Sequence, residues 1–378
     1  MQKPIESEFP LIDSVLYLNH AGVAPWPRRT SEAVKRFAEA NCRLGARDYA
    51  NWLSEEARLR AQLKTLINAP DIRDIALVKN TSEALSFVAG GLPWQAGDNI
   101  VSSDEEFPSN RIPWQSLQNQ GVEFRQARLT DGSSPEQALF DLTDANTRLI
   151  TISSIQFASG LRLNVERIGS FCRRHNILFC IDAIQSIGAV EFDVQACCAD
   201  FAMADGHKWM LGPEGLGVFY TNPEARDRLK LGQFGWHMIE DPNDYRNRAW
   251  SIAEDSRRFE CGSANMLGIH ALSASLSLLL EVGMEVVEHK VIENAGYLKE
   301  LIHRHNDLEL LTPMNSEHAS GIVVFRHRSI ENDELFRSLR EQGVVCAQRG
   351  GGIRFSPHFY TSEARIEKAV EIAAKAKV

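Results

Sequence analysis

The sequence predicts a layered α/β protein: a mainly parallel sheet covered by helices, followed by a smaller α+β unit. Two observations predict it. Between residues 75 and 220, short apolar runs alternate with segments of helical spacing, the order expected of strand–helix–strand crossovers. At 378 residues, 44% hydrophobic and 24% charged, the chain has ordinary globular composition and length for about two cores.

In chain order, residues 15–18 read as a short strand and Asn19-His-Ala-Gly22 as a polar turn, and the prolines that follow mark the entry to a helix. Residues 31–42 and 54–67 have helical spacing and few breakers. Residues 75–78 form a short apolar strand, and a helix runs over 84–89. Between them, Lys79-Asn-Thr-Ser-Glu83 puts the Thr81 and Ser82 hydroxyls and free backbone N–H groups at a helix N-terminus, an anion cradle. Plain capping by Ser or Thr, with Glu83 in the first turn, accounts for the same letters. Strands follow at 99–102, 122–125, 148–153, 177–181, 201–204 and 217–220, with helices at 108–120, 135–142 and 165–175. Ligands of such sheets collect at the carboxyl ends of the strands. Residues 226–255 are irregular and read as a surface excursion toward that end. A helical run from Met266 to His289 links into the second unit. That unit has helices at 291–305, 331–342 and 362–374, and strands at 321–326, 344–347 and 353–355. The large unit is drawn over 14–265 and the small one over 266–378, joined by 1–13.

The net charge of −9 and the lack of a basic block exclude nucleic acid and anionic membranes as expected partners. No apolar run has the length of a membrane span, and the polar start lacks the apolar core of a signal peptide. A cytoplasmic protein is expected. Seven scattered cysteines with no C-x-x-C pair predict neither a disulfide framework nor a zinc site.

Four features sit at strand ends. Lys208 stands between His207 and Trp209 in a strand–turn–strand segment. A lysine in a partly dry site loses its proton more readily and attacks carbonyls. From that stretch alone, a surface lysine snorkelling beside a turn reads equally well. Asp182 closes the apolar run 177–181, with Gln185 just behind it. A carboxylate there is costly without a cationic partner, and a protonated pyridine nitrogen is one. The Thr81/Ser82 turn is the third feature and Phe107, after Asp104-Glu-Glu, the fourth. Together they describe a site for pyridoxal 5′-phosphate (PLP). Lysine forms the imine, aspartate keeps the ring nitrogen protonated, hydroxyl and N–H groups hold the phosphate, and an aromatic ring stacks on the pyridine.

On these motifs the chain resembles the class V group of fold-type I PLP enzymes: cysteine desulfurases, selenocysteine lyases and isopenicillin N epimerases. The resemblance runs from Tyr17-Leu-Asn-His-Ala21 to Arg354-Phe-Ser-Pro-His-Phe-Tyr360, nearly the whole chain. It implies a mainly parallel seven-stranded sheet and a homodimer with sites at the interface. Lys208 in Asp205-Gly-His-Lys-Trp209 would carry the cofactor and later move protons at Cα, with His207 on the phosphate. Asp182 would pair with the ring nitrogen and Gln185 reach the ring hydroxyl. Thr81 and Ser82 would bind the phosphate, Phe107 stack on the ring, and Ser263 reach the phosphate of the neighbouring subunit. Arg354 would clamp the substrate α-carboxylate; a strand-end surface arginine is the alternative. Asn19, His20 and residues 234–240 would line the pocket.

The chain departs from the pattern at three places. Asp205 stands where relatives have serine, and is expected to point away from the phosphate. Residues 152–160 replace a desulfurase motif, and Gln156 is nominated for its polar contact. The interval Val345-Cys-Ala-Gln-Arg-Gly-Gly-Gly-Ile-Arg354 is too short for the mobile loop that carries the desulfurase nucleophile. Cys346 falls in a strand and reads as a buried structural thiol, and 350–352 as a tight turn that brings Arg354 into the site. These departures put a class V aminotransferase acting on a small amino acid first. A β-eliminating C–S lyase or desulfurase-like enzyme comes second, then an epimerase. A PLP-binding regulatory protein without turnover is the reading from another class. A nicotinamide dehydrogenase is excluded, because no G-x-G-x-x-G opens a helix after a strand.

Overall fold

The computed structural model describes residues 5–244, 246, 248–314 and 317–377. Residues 1–4, read with the C-terminal unit, lie outside them. The chain opens with strand β1 (Leu16–Tyr17) and helices α1 (Arg28–Leu44) and α2 (Tyr49–Leu66). A seven-stranded sheet follows: β2 (Ile75–Val78), β3 (Asn99–Ser103), β4 (Glu123–Ala127), β5 (Thr147–Ser153), β6 (Leu178–Asp182), β7 (Phe201–Asp205) and β8 (Gly217–Thr221). Its order is β2-β8-β7-β6-β5-β3-β4. Only β8 runs against its neighbours, β2 and β7; the other pairs are parallel.

The central strands feed two cores. In β7, Phe201 and Met203 pack into the layer that contains Leu85 and Val88 of α3 (Thr81–Gly91) and Trp114 of α4 (Ile112–Gln115). Ala202 and Ala204 pack on the other face, with Leu59 and Leu63 of α2 and Leu272 and Leu276 further on. Strands buried on both faces read as unbroken apolar runs, which is why they were legible. The crossovers α5 (Pro135–Phe140) and α6 (Val165–His175) keep the expected positions, and α7 (Pro223–Arg226) is a single turn.

Local chemistry corrects several expectations. The helix expected over 108–120 is three short pieces, because Pro108 and Pro113 carry no N–H for a continuous ladder. The helix expected from Met266 to His289 ends at Val282. Gly283, at φ 88°, turns the chain by 85° from α8 (Met266–Val282) into α9 (Met284–Arg304). That angle takes a residue comfortable at positive φ. No single described helix is long and apolar enough to cross a membrane.

The C-terminal part holds β9 (Leu308–Leu310), β10 (Val323–His327), α10 (Asn332–Glu341), β11 (Val344–Val345), β12 (Ala347–Arg349), β13 (Gly352–Phe355) and α11 (Glu363–Ala374). Strand β9 was not anticipated; three residues carry too little pattern. Strand β1, read with the large unit, pairs in parallel with β11, and Leu16 and Leu18 pack among Leu298, Phe325 and Phe355. Its apolar partners lie 280 to 339 residues away, so the sequence gives no local sign of this placement.

Two fully buried histidines sit where the chain start meets the C-terminal loop. His20 has Nδ1 2.8 Å from the Ser356 carbonyl and Nε2 2.7 Å from the Tyr360 hydroxyl. His358 has Nε2 3.1 Å from the Trp209 carbonyl, and its Nδ1 accepts from Phe359 N. Burial lowers the His20 pKa to about 4 and that of His358 well below the ordinary value. The unfolded chain therefore binds the extra proton first as pH falls below about 6.5, and stability present above that pH is lost toward pH 4. At pH 5 the His20 share of the loss is about 2 kcal/mol. Wild type should exceed His20→Gln in stability by most above pH 7, and the gap should shrink by about that amount at pH 5 in denaturant titrations. A gap independent of pH would contradict the neutral, buried assignment.

Candidate active site

A cavity of about 280 Å³ opens at the carboxyl ends of β5, β6 and β7 and the N-terminus of α3. Helix α3 is capped by Asn80, whose side-chain oxygen accepts from Glu83 N at 2.9 Å, while Glu83 accepts from Lys79 N at 2.8 Å. The capping alternative for Thr81 and Ser82 therefore fails: Asn80 does that task. Thr81 Oγ1 is buried with no partner among the described residues, and Ser82 Oγ donates to Ser109 Oγ at 2.8 Å. The first-turn N–H groups beside them have no intrahelical acceptor. The result is a small cradle of donors facing the cavity.

Asp182 ends β6, fully buried, with Oδ1 accepting from Ile184 N at 3.1 Å. Burial first, and the charge of Glu106 second, push its pKa up, against the pull of Lys208. Lys208 follows β7 in a turn closed by Gly212 N on the Gly206 carbonyl. Its side chain enters the cavity, Nζ 5.7 Å from the Phe107 ring centroid, so the surface alternative fails. Burial lowers the ammonium pKa, Asp182 works against that shift, and Arg354 adds to it. Phe107 lines the cavity at 40% exposure and meets Phe157 edge-on at 5.1 Å. Gln185 also lines it, held by Ala21 O (3.1 Å) and Trp209 Nε1 (2.8 Å). His207 lines it beside Asp205, Nδ1 to Oδ1 3.0 Å. Asp205 thus lines the cavity, 3.0 Å from His207 Nδ1.

Arg354 arrives on β13. Gly350 and Gly351, at φ 61° and 78°, make the two-residue turn between paired Arg349 and Gly352. The Arg354 guanidinium is 3% exposed, donating to Phe157 O at 2.8 Å and Asn19 Oδ1 at 3.4 Å. Its Nε has no partner, and no carboxylate pairs with it among the described residues. Burial and Arg349 lower its pKa to about 10. A buried cation without a counter-ion costs on the order of several kcal/mol. This is the geometry of a site that awaits an anion.

Four nominations are corrected. His20 is locked in the hydrogen bonds above and does not line the cavity. Gln156 lies beneath the wall, its amide 2.9 Å from Glu106 Oε1. Asn19 acts on Arg354 and does not line the cavity. Phe234 and Trp236 stand exposed on the surface, away from it. Ser263 lies outside the cavity of its own chain, in a surface groove with Lys79 and Gly262. The sequence reading passed over Arg349, Ser109 and Phe157, all of which line it. For Arg349, the pair of turn glycines that follows it was the available signal.

The residues present fit PLP: an orphaned hydroxyl at a helix N-terminus for phosphate, a buried carboxylate for the ring nitrogen, a half-buried lysine for the carbonyl, and an open ring for stacking. Comparison with known proteins agrees. The chain is 28% identical to a probable cysteine desulfurase of Methanothermobacter thermautotrophicus, covering 96% of this chain and 95% of that protein. The fold is that of the cystine C–S lyase C-DES, solved with its product cysteine persulfide (TM-score 0.90, 23% identity, 97% of this chain, 99% of that one). It is also that of the Escherichia coli cysteine desulfurase CsdA (TM-score 0.87, 20% identity, 97% and 96%). A family description, aminotransferase class-V, matches residues 16–368, and the chain belongs to that family.

Proposed function

We propose that the protein is a PLP-dependent enzyme that cleaves the C–S bond of a small sulfur-containing amino acid by β-elimination, without passing sulfur to one of its own cysteines. The curated relative is named a desulfurase, which favours sulfur chemistry over the transamination placed first from sequence. The observation that carries the finer reading is that no cysteine lines the cavity. Cys346 is buried between β11 and β12, and burial raises its thiol pKa to about 12, so it supplies no thiolate.

Bound PLP supplies the electron sink for charge developing at Cα. The chain does the rest. Arg354, steadied by Asn19, binds the α-carboxylate. Lys208, whose ammonium loses its proton readily in this dry site, takes the Cα proton and returns one to the leaving sulfur. Asp182 holds the ring nitrogen, Thr81, Ser82 and His207 hold the phosphate, and Phe107 covers the ring. With cystine and water the net products are pyruvate, ammonia and cysteine persulfide. The chain is proposed to act as a homodimer, with Ser263 turned toward the partner's site.

Incubated with cysteine or cystine and no keto acid, the protein should release pyruvate and reduced sulfur over many turnovers. Cys346→Ala should keep kcat/KM within about twofold. A single conversion that stops until a keto acid is added would identify an aminotransferase instead. Loss of sulfur release in Cys346→Ala would restore the desulfurase route.

A further inference from the structure

The loop after β3 carries a carboxylate that the reading above does not use. Glu106 is fully buried, and four donors converge on it. Its Oε1 accepts from Ser153 N at 2.7 Å and Gln156 Nε2 at 2.9 Å. Its Oε2 accepts from Ser153 Oγ at 2.6 Å and Asn110 Nδ2 at 2.9 Å. Two donors on each oxygen leave no place for a proton, so the ionised form is the one this geometry satisfies. Burial is the largest influence and leaves the Glu106 pKa raised; the four donors oppose that rise by holding the ionised form.

Two links lead from Glu106 to the site. The first is mechanical. Glu106 precedes Phe107 in the chain and clamps its loop onto Ser153, the last residue of β5. Asn110 extends the clamp to Thr151 and Trp114, and Ser109 reaches Ser82 at the α3 N-terminus. The second is electrostatic. Ser153 is the register partner of Asp182 across β5 and β6, so Glu106, held on Ser153, lies beside the strand end that carries Asp182, in a low-dielectric setting.

Resting on the PLP reading, we propose that Glu106 is a positioning residue of this site: it locks the Phe107 loop to the end of β5 and places a second negative charge behind Asp182. That charge makes Asp182 a stronger partner for a protonated ring nitrogen. The other ionisable groups that line the cavity are Asp182, Asp205, His207, Lys208, Arg349 and Arg354, and Glu106 lies behind its wall.

Three proteins test this: wild type, Glu106→Gln, which keeps shape without charge, and Glu106→Asp, which keeps charge on a shorter arm. Folding is checked by circular dichroism, PLP affinity by fluorescence quenching, and the pH midpoint by the visible absorption of the bound cofactor. An anion stabilises the protonated chromophore, so its removal lowers the midpoint. Glu106→Gln should lower it by about one unit and weaken PLP binding roughly tenfold, while Glu106→Asp holds the midpoint near wild type. An unchanged midpoint and affinity in Glu106→Gln overturns the proposal and leaves the PLP reading intact. Absence of PLP binding by wild type overturns both. If Glu106→Gln does not fold, Glu106→Asp carries the test: a midpoint displaced by a full unit with the charge still present overturns the electrostatic role.

Discussion

Lys208→Ala protein should turn over at least about a thousandfold more slowly than wild type, and borohydride should no longer fix PLP to the chain. Among the described residues, Lys208 is the only lysine that lines the cavity. Burial lowers its proton affinity, so a useful fraction is neutral near neutral pH, the form that attacks a carbonyl and accepts the Cα proton. Alanine removes both the covalent anchor and the proton carrier. The phosphate cradle and Asp182 remain, so PLP should still bind, with the spectrum of the free aldehyde. A variant that retains turnover and borohydride fixation would remove Lys208 from the centre of the site. Burial promotes the loss of the Lys208 proton and Asp182 opposes it, so the rise of activity with pH should follow the lysine.

Arg354→Ala should lower kcat/KM for α-amino acids by on the order of 10²–10³ and leave PLP affinity within about twofold. The guanidinium is buried, fixed by Phe157 O and Asn19, and has no carboxylate of its own among the described residues. Its ion pair with an incoming carboxylate is therefore the interaction its burial awaits. The same fact gives an unusual expectation for stability. Removing an unpaired buried cation relieves desolvation, so the substrate-free variant should melt no lower than wild type by more than about 2 °C. Calorimetry and steady-state kinetics on one preparation read both effects. Loss of PLP with unchanged KM would assign Arg354 to the cofactor instead.

Much of the site was legible because its residues announce themselves locally. Asp182 stands out at the end of an apolar run, and Lys208 interrupts a run of glycine and apolar residues between two strands. Thr81 and Ser82 sit at a strand-to-helix turn, where hydroxyls face the carboxyl end of the sheet whatever the rest of the chain does. His20 and Gln156 misled for the opposite reason. Each is a polar residue in a motif, but its role is set by partners elsewhere: Ser356 and Tyr360 for His20, Glu106 for Gln156. Glu106 itself looked like one acid among three in Asp104-Glu-Glu, and only burial and the convergence of four donors separate it from exposed Asp104 and half-buried Glu105.

By itself the sequence determined the α/β layering, the strands buried on both faces, the turn that carries Lys208 and the carboxylate at the end of β6. These follow from runs of neighbouring residues, and hydrophobic burial and backbone hydrogen bonding act on such runs directly. Only the tertiary structure decided that β1 joins β11, that Arg354 is buried without a counter-ion among the described residues, that the two histidines are neutral struts and that Cys346 does not line the active-site cavity. Each of these depends on desolvation and on partners far along the chain, and neither quantity exists until the chain has folded.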